Sequence, residues 1–261
     1  MRKLLFIGFI FNCILFYGQT TDAAGKKQGY WKQKDEKTNK LVFEGEFKDD
    51  KPVGVFKYYY PNDSIRAIIN FKKGGKTAYA KLFHYTGKRM GEGKYNSEVL
   101  SALIRDSVWL FYDEAGILIS KDKYVNGKKE GVSYVYLPDG KLAEEKNYKA
   151  DVLNGPFKLY FDGIKLRGQG AYKDGLLEGK VSYYFPNGTE VATGSYIKDR
   201  KNGPWIYKEE NGKIKEKELY KEGKKASQKE TDEFFNKGKK TGAATTSTVT
   251  PKEDPKKGAK K

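Results

Sequence analysis

The feature that most constrains this chain is a period of 24 residues. From Gly131 to Gly223 four successive segments open GVSYVYLPDGK, GPFKLYFDGIK, GKVSYYFPNGT and GPWIYKEENGK. With the opening glycine as position 1, each runs on to a tyrosine at position 18, namely Tyr148, Tyr172, Tyr196 and Tyr220. Tyr124, Tyr95, Phe71 and Phe47 fall in the same column upstream, at intervals of 24 except for one of 29, which marks five inserted residues near Glu98 to Asp106. Eight units are expected, from about Gly29 to Lys225. A constant period predicts a stacked array, in which each unit buries its apolar side against its neighbours. Leucine-rich repeats have similar periods but need leucine columns, and these columns are aromatic.

Within a unit, position 3 is Phe56, Trp109, Phe157, Val181 or Trp205, and position 5 is Tyr58, Leu82, Phe111, Val135, Leu159, Tyr183 or Tyr207. Side chains alternate along an extended strand, so these two columns share a face, which is the expected core. Pro138-Asp139-Gly140, Pro186-Asn187-Gly188, Glu210-Asn211-Gly212 and Asp162-Gly163 follow and supply reversing turns. A second strand leads to the position 18 ring, and Tyr124-Val-Asn-Gly127, Tyr172-Lys-Asp-Gly175 or Tyr220-Lys-Glu-Gly223 closes the unit as a β-hairpin. Glycine recurs two residues before the ring, at Gly45, Gly93, Gly170 and Gly194. Glycine weakens a strand, so its recurrence there predicts an aromatic ring from the adjoining hairpin lying across it.

Composition agrees with a thin aromatic core. Only 38% of the 261 residues are apolar and 33% are charged, which alone would suggest disorder, but 15% are aromatic. The net charge is +17, of which +2 lies in the first three residues and +4 after Ala226, leaving +11 on the repeats. That balance favours acidic partners without choosing among them. Residues 1–18 read as a secretory signal: a basic start, then an apolar run from Leu4 to Tyr17 that is too short to span a membrane. Export to the periplasm, cell surface or medium follows as the expectation, with an uncleaved anchor as the alternative. Cys13 is the sole cysteine and sits inside that run, so no intramolecular disulfide or cysteine metal cluster is available. Residues 19–28 form a short linker. After Lys225 the register stops; Glu230 to Phe235 is expected to form a short helical cap, and 226–261 otherwise a basic, largely disordered tail.

The G-x-F/W openings (Gly155-Pro-Phe157, Gly203-Pro-Trp205), the PNG and PDG turns and the K-D-G or N-G closings resemble MORN-repeat proteins, specifically the shorter MORN-variant repeats of bacterial YwqK-type antitoxin-like proteins. The resemblance covers about three quarters of the chain. Ala78 and Ser107 stand where the opening glycine belongs, and Lys208 replaces the usual position 6 aromatic. The resemblance implies a twisted stack of hairpins. The expected fold is therefore all-β, an elongated single-layer antiparallel sheet of about eight MORN-like hairpins.

Position 6 carries the candidate binding face: Tyr59, Phe83, Tyr112, Tyr136, Tyr160 and Tyr184, on the side opposite positions 3 and 5. Such a row among lysines can contact sugars, bases or partner side chains, or can simply cover a second sheet face with its hydroxyls in water. Catalytic, cofactor and metal sites are expected to be absent. His84 is the sole histidine, no serine or cysteine sits in a nucleophile motif, and Glu144-Glu145 and Glu209-Glu210 do not converge as catalytic carboxylates do. The function expected is an exported, non-catalytic scaffold for a macromolecular partner, protein first. An anionic lipid or glycan surface is the alternative, and an antitoxin-like role against a toxin a third. Nucleic acid is unexpected for an exported chain, and open end strands allow self-association.

Overall fold

The structure, a computed structural model, describes residues 19–72, 74–96 and 103–241. The leader lies outside them, as do the tail beyond Thr241 and part of the five-residue insertion. The chain divides into two compact units at Leu176 and Leu177. In chain order the strands are β1 (Thr20–Thr21), β2 (Lys27–Lys34), β3 (Leu41–Lys48), β4 (Lys51–Tyr59), β5 (Ile65–Lys72), β6 (Thr77–Phe83), β7 (Arg89–Asn96), β8 (Ile104–Tyr112), β9 (Leu118–Val125), β10 (Lys128–Lys129), β11 (Gly131–Tyr136), β12 (Leu142–Lys149), β13 (Val152–Tyr160), β14 (Leu166–Lys173), β15 (Leu176–Leu177), β16 (Gly179–Tyr184), β17 (Glu190–Ile197), β18 (Arg200–Lys208), β19 (Ile214–Lys221) and β20 (Lys224–Lys225). One helix, α1 (Gln228–Thr241), follows.

Every long strand is paired antiparallel with its chain neighbours inside each unit. The first unit contains six repeat hairpins, β2–β3, β4–β5, β6–β7, β8–β9, β11–β12 and β13–β14. The second contains β16–β17 and β18–β19. Consecutive residues of positive φ close the units at Asp49-Asp50, Ala150-Asp151, Lys198-Asp199 and Glu222-Gly223, the backbone of a tight two-residue hairpin turn. The aspartates of two closing turns reach back to earlier strands: Lys27 N, at the start of β2, donates to Asp50 Oδ1 at 2.8 Å, and Lys129 N of β10 to Asp151 Oδ1 at 2.6 Å.

The opening glycine has a geometric role. Gly54, Gly155 and Gly203 have φ of 66°, 109° and 75°, in the left-handed region, and the ladder joining each to the preceding strand slips at that point. A left-handed residue of this kind is what lets a bulge form. Ser107 takes φ 61° in the same place and the slip between β7 and β8 survives. Ala78 does not, and β5–β6 pairs without a slip, with Ala78 wholly buried. The two substitutions in the opening column thus have different outcomes: serine accepts the strained backbone, whereas alanine removes the bulge.

Position 3 is the core, as parity requires. In the first unit Phe56, Ala80, Trp109, Ser133 and Phe157 are buried, and in the second Val181 and Trp205. Position 5 is only half-buried. A Cβ built at Gly45 falls 2.5 Å from the Phe56 ring, and the same overlap arises between Gly93 and Trp109 and between Gly194 and Trp205. Each ring comes from the first strand of the next hairpin, as the recurring glycine predicts at these three positions; Gly170 departs from the expectation, because the next repeat carries Val181 and not a ring at position 3. The indole N–H of Trp109 donates to Lys94 O at 2.9 Å, and that of Trp205 to Ser195 O at 3.3 Å, so neither buried ring strands its polar atom.

The helix extends beyond the cap expected at Glu230 to Phe235. Ser227 and Glu230 form a capping box, in which Ser227 N donates to Glu230 Oε2 at 3.0 Å and Glu230 N to Ser227 Oγ at 3.3 Å. Lys217 of β19 lies 4.9 Å from the centroid of Phe235 and buried Thr231 faces inward, which seats α1 on the last long strand.

Candidate functional site

The second face of the sheet is built from even positions, and every hairpin bears a register shift between positions 5 and 6, such as Tyr58/Tyr59, Val135/Tyr136 and Tyr183/Tyr184. The bulged residue lies on the returning strand and leaves position 6 beside the turn. Tyr59, Phe83, Tyr112, Tyr136, Tyr160 and Tyr184 are all half-buried there. Three of them have a common partner. Tyr59 donates its hydroxyl to Glu44 at 2.7 Å, Tyr112 to Glu92 at 2.9 Å and Tyr160 to Glu145 at 2.9 Å. All three glutamates occupy position 15 of the preceding repeat. Half of the row is therefore a set of tyrosine–glutamate pairs across adjacent hairpins, a regularity that only alignment of columns 6 and 15 reveals in the sequence.

These pairs settle the chemistry of the phenols. Burial, then the hydrogen bond to its glutamate, pushes Tyr59 up to about 12, and the same causes push Tyr160 to about 12. Tyr112 is raised by burial and Glu92, and Tyr136 by burial. The phenols so shifted stay protonated at neutral pH and serve as donors to carboxylates already in place. Glu44 is held below its ordinary value, chiefly by Tyr59. His84 lies in a turn with Nε2 3.0 Å from Tyr112 O, a structural placement. Glu144 pairs with Lys146 at 2.5 Å while Glu145 takes Tyr160, so the two adjacent carboxylates are engaged separately. Among the described residues no group of three or more His, Cys, Asp or Glu could hold a metal ion, and no helix is long and apolar enough to cross a membrane.

The residues that parity alone did not bring forward are those of position 2. Tyr30, Val55, Tyr79 and Val108 stand 39%, 49%, 58% and 45% exposed in the first four repeats. They lie on the second face with position 6, yet later repeats place Pro156, Lys180 and Pro204 in the column, which hides its apolar start. A concavity of about 740 Å³ opens over β4 to β8 on this face, lined by Val55, Ile68, Tyr79, Lys81, Glu92 and Val108 among others. None of the position 6 residues lines it. The tyrosine–glutamate cover lapses here because Ile68 occupies position 15 and Phe83 position 6, so neither can form the pair.

A second set unread in the sequence lies on the core face. Lys27, Arg105, Lys129 and Lys201 each stand two residues before an opening position and each caps rings: Arg105 lies 5.2 Å from the centroid of Trp109, and Lys201 4.4 Å from that of Trp205. Part of the positive charge therefore covers aromatic surface through cation–π contact.

Residues 52–73, 129–150 and 201–222 match the MORN repeat variant, two segments in the first unit and one in the second. MORN repeats are a non-catalytic repeat type that in general binds proteins or membranes. No match is found among curated proteins. A solved structure of a protein of unknown function from Bacteroides fragilis is 7% identical, covering 76% of this chain and 94% of that one, with a TM-score of 0.08, too low to speak for the fold.

Proposed function

We propose that this chain, an array of MORN-variant repeats, is an exported, non-catalytic scaffold that holds a partner protein against the second face of its first unit. The observation that carries the reading is the run of exposed apolar side chains at position 2, Tyr30, Val55, Tyr79 and Val108, beside a concavity on the same face. Water-exposed apolar side chains gathered in one column are characteristic of a surface that is covered in use. Tyr59 and Tyr112 flank that surface, and their bonds to Glu44 and Glu92 hold them rigid, which lowers the entropy cost of docking. The basic opening and short apolar run of residues 1–18 support export.

The test is purification of the tagged full-length chain from its native cells after cross-linking, with fractionation and determination of the mature N-terminus. A partner recovered in stoichiometric amount from the envelope or medium, and lost from a Val55→Ser/Tyr79→Ser/Val108→Ser variant, is the expected result. Recovery unchanged in that variant, or a mature chain retained in the cytoplasm, overturns the corresponding half of the reading.

A further inference from the structure

We infer that the concavity over β4 to β8 receives an extended, acidic and apolar peptide segment of the partner protein; this rests on the reading of the second face as a protein-docking surface and names the chemistry of what docks. Charge is the first argument. Residues 51–112 carry 11 Lys and Arg against 4 Asp and Glu. Lys81, on the middle of the five strands, has no carboxylate within ion-pair distance among the described residues. Its cross-strand neighbour is Glu92, but that carboxylate is taken by Arg89 at 2.9 Å and by the Tyr112 hydroxyl at 2.9 Å. Lys94 is likewise satisfied by Asp106 at 3.0 Å. One uncompensated ammonium therefore stands among apolar walls, and its complement is a carboxylate.

The second argument is the apolar lining. Val55, Tyr79 and Val108 stand exposed around Ile68 and Leu110, so the occupant presents apolar side chains alongside its acid. The third is a missing hydrogen bond. Asn70 lines the concavity and its buried Oδ1 has no partner. A buried acceptor left without a donor is destabilising, and a turn of the amide would offer it to a peptide N–H. Dimensions agree. Five strands at about 4.8 Å spacing span roughly 19 Å, the length of about six residues of extended chain. A planar bilayer does not enter a concavity, and a lone tyrosine among valines is a poor sugar-stacking platform. A peptide satisfies the shape, the charge and the acceptor together.

Fluorescence anisotropy with the purified chain tests this directly. The probes are a fluorescein-labelled ten-residue peptide alternating leucine and glutamate, its twin alternating leucine and lysine, and phosphatidylglycerol vesicles. The acidic peptide is expected to bind saturably, about tenfold or more weaker with Lys81→Glu or with Val55→Ser/Tyr79→Ser/Val108→Ser, and weaker as salt rises. Ile164→Ser, at an exposed turn in another repeat, should bind like wild type, and unchanged circular dichroism keeps the losses local. Equal binding of the lysine twin, no loss in the variants, or binding of vesicles without peptide overturns the inference. If the acidic peptide fails while the triple variant still loses the cellular partner, the docking face stands and only the acidic ligand falls.

Discussion

Trp109 and Ser133 occupy position 3 of successive repeats, and their surroundings differ in kind. Trp109 is fully buried, lies across Gly93 and is covered by the Arg105 guanidinium. Ser133 is also buried, but its hydroxyl donates at 2.5 Å to Asp122, which stands at position 16 where Gly93 stands one repeat earlier. Asp122 is itself 3% exposed and is neutralised by Lys129 at 3.1 Å. At these two sites positions 16 and 3 trade volume across the hairpin boundary, a large ring lying over a glycine and a serine leaving room for a carboxylate, whereas the Phe157 ring is buried opposite Lys146. The hairpin boundary at these positions accepts either an apolar or a polar pair, provided a buried charge finds its partner.

The strongest way to break this comparison is Trp109→Ala, which should cost about 3–5 kcal/mol through loss of the buried ring and the cavity left behind, measured as a fall in urea midpoint. A cost near that of a surface change would mean the ring is not what closes this part of the core. The sharper test exchanges the two solutions. Ser133→Trp alone should lose about 2–3 kcal/mol from overpacking against Asp122, while Ser133→Trp with Asp122→Gly should recover most of it, a coupling above about 1 kcal/mol in a double-mutant cycle. Additive costs would show that columns 16 and 3 do not trade volume.

The second unit offers a related site with a pH signature. Glu218, 8% exposed, also stands at position 16. Burial alone would raise its carboxyl, but hydrogen bonds from Lys225, Tyr207 and Tyr220 win and hold it at about 2. A carboxyl lowered in the folded state stabilises that state only while ionised. The contribution, about 3 kcal/mol, is complete above the ordinary carboxylate value and is lost as pH falls from about 4.5 toward 2. Thermal melts across that window should show the loss in wild type and a flatter profile in Glu218→Gln. The smallest effect is expected on the second face. Tyr160→Phe removes one hydroxyl from a half-exposed pair with Glu145 and should cost about 0.5–1 kcal/mol, with no change in fold by circular dichroism.

Much of the fold was legible because each hairpin is local. The 24-residue period, the PDG and PNG turns and the strand alternation all act within one unit, and so the position 3 core and the rings lying on Gly45, Gly93 and Gly194 followed from spacing. The Ser227–Glu230 capping box was also there to read, and it carries α1 to Thr241. The candidate site was half legible. Parity placed Tyr59 and Tyr160 on the second face, but their glutamates lie 15 residues upstream in another hairpin, and the exposed position 2 column is masked by the prolines and lysine of later repeats.

The hairpin unit, the count of its copies and the parity that turns inward are written along the chain, since backbone alternation and turn chemistry are properties of short stretches. Which inward polar groups find a buried partner, and where the outward face stays uncovered, emerge from packing between hairpins. Those outcomes depend on strands about one repeat apart coming within a few ångströms, so volume, charge and hydrogen bonds are settled between columns and not along the chain.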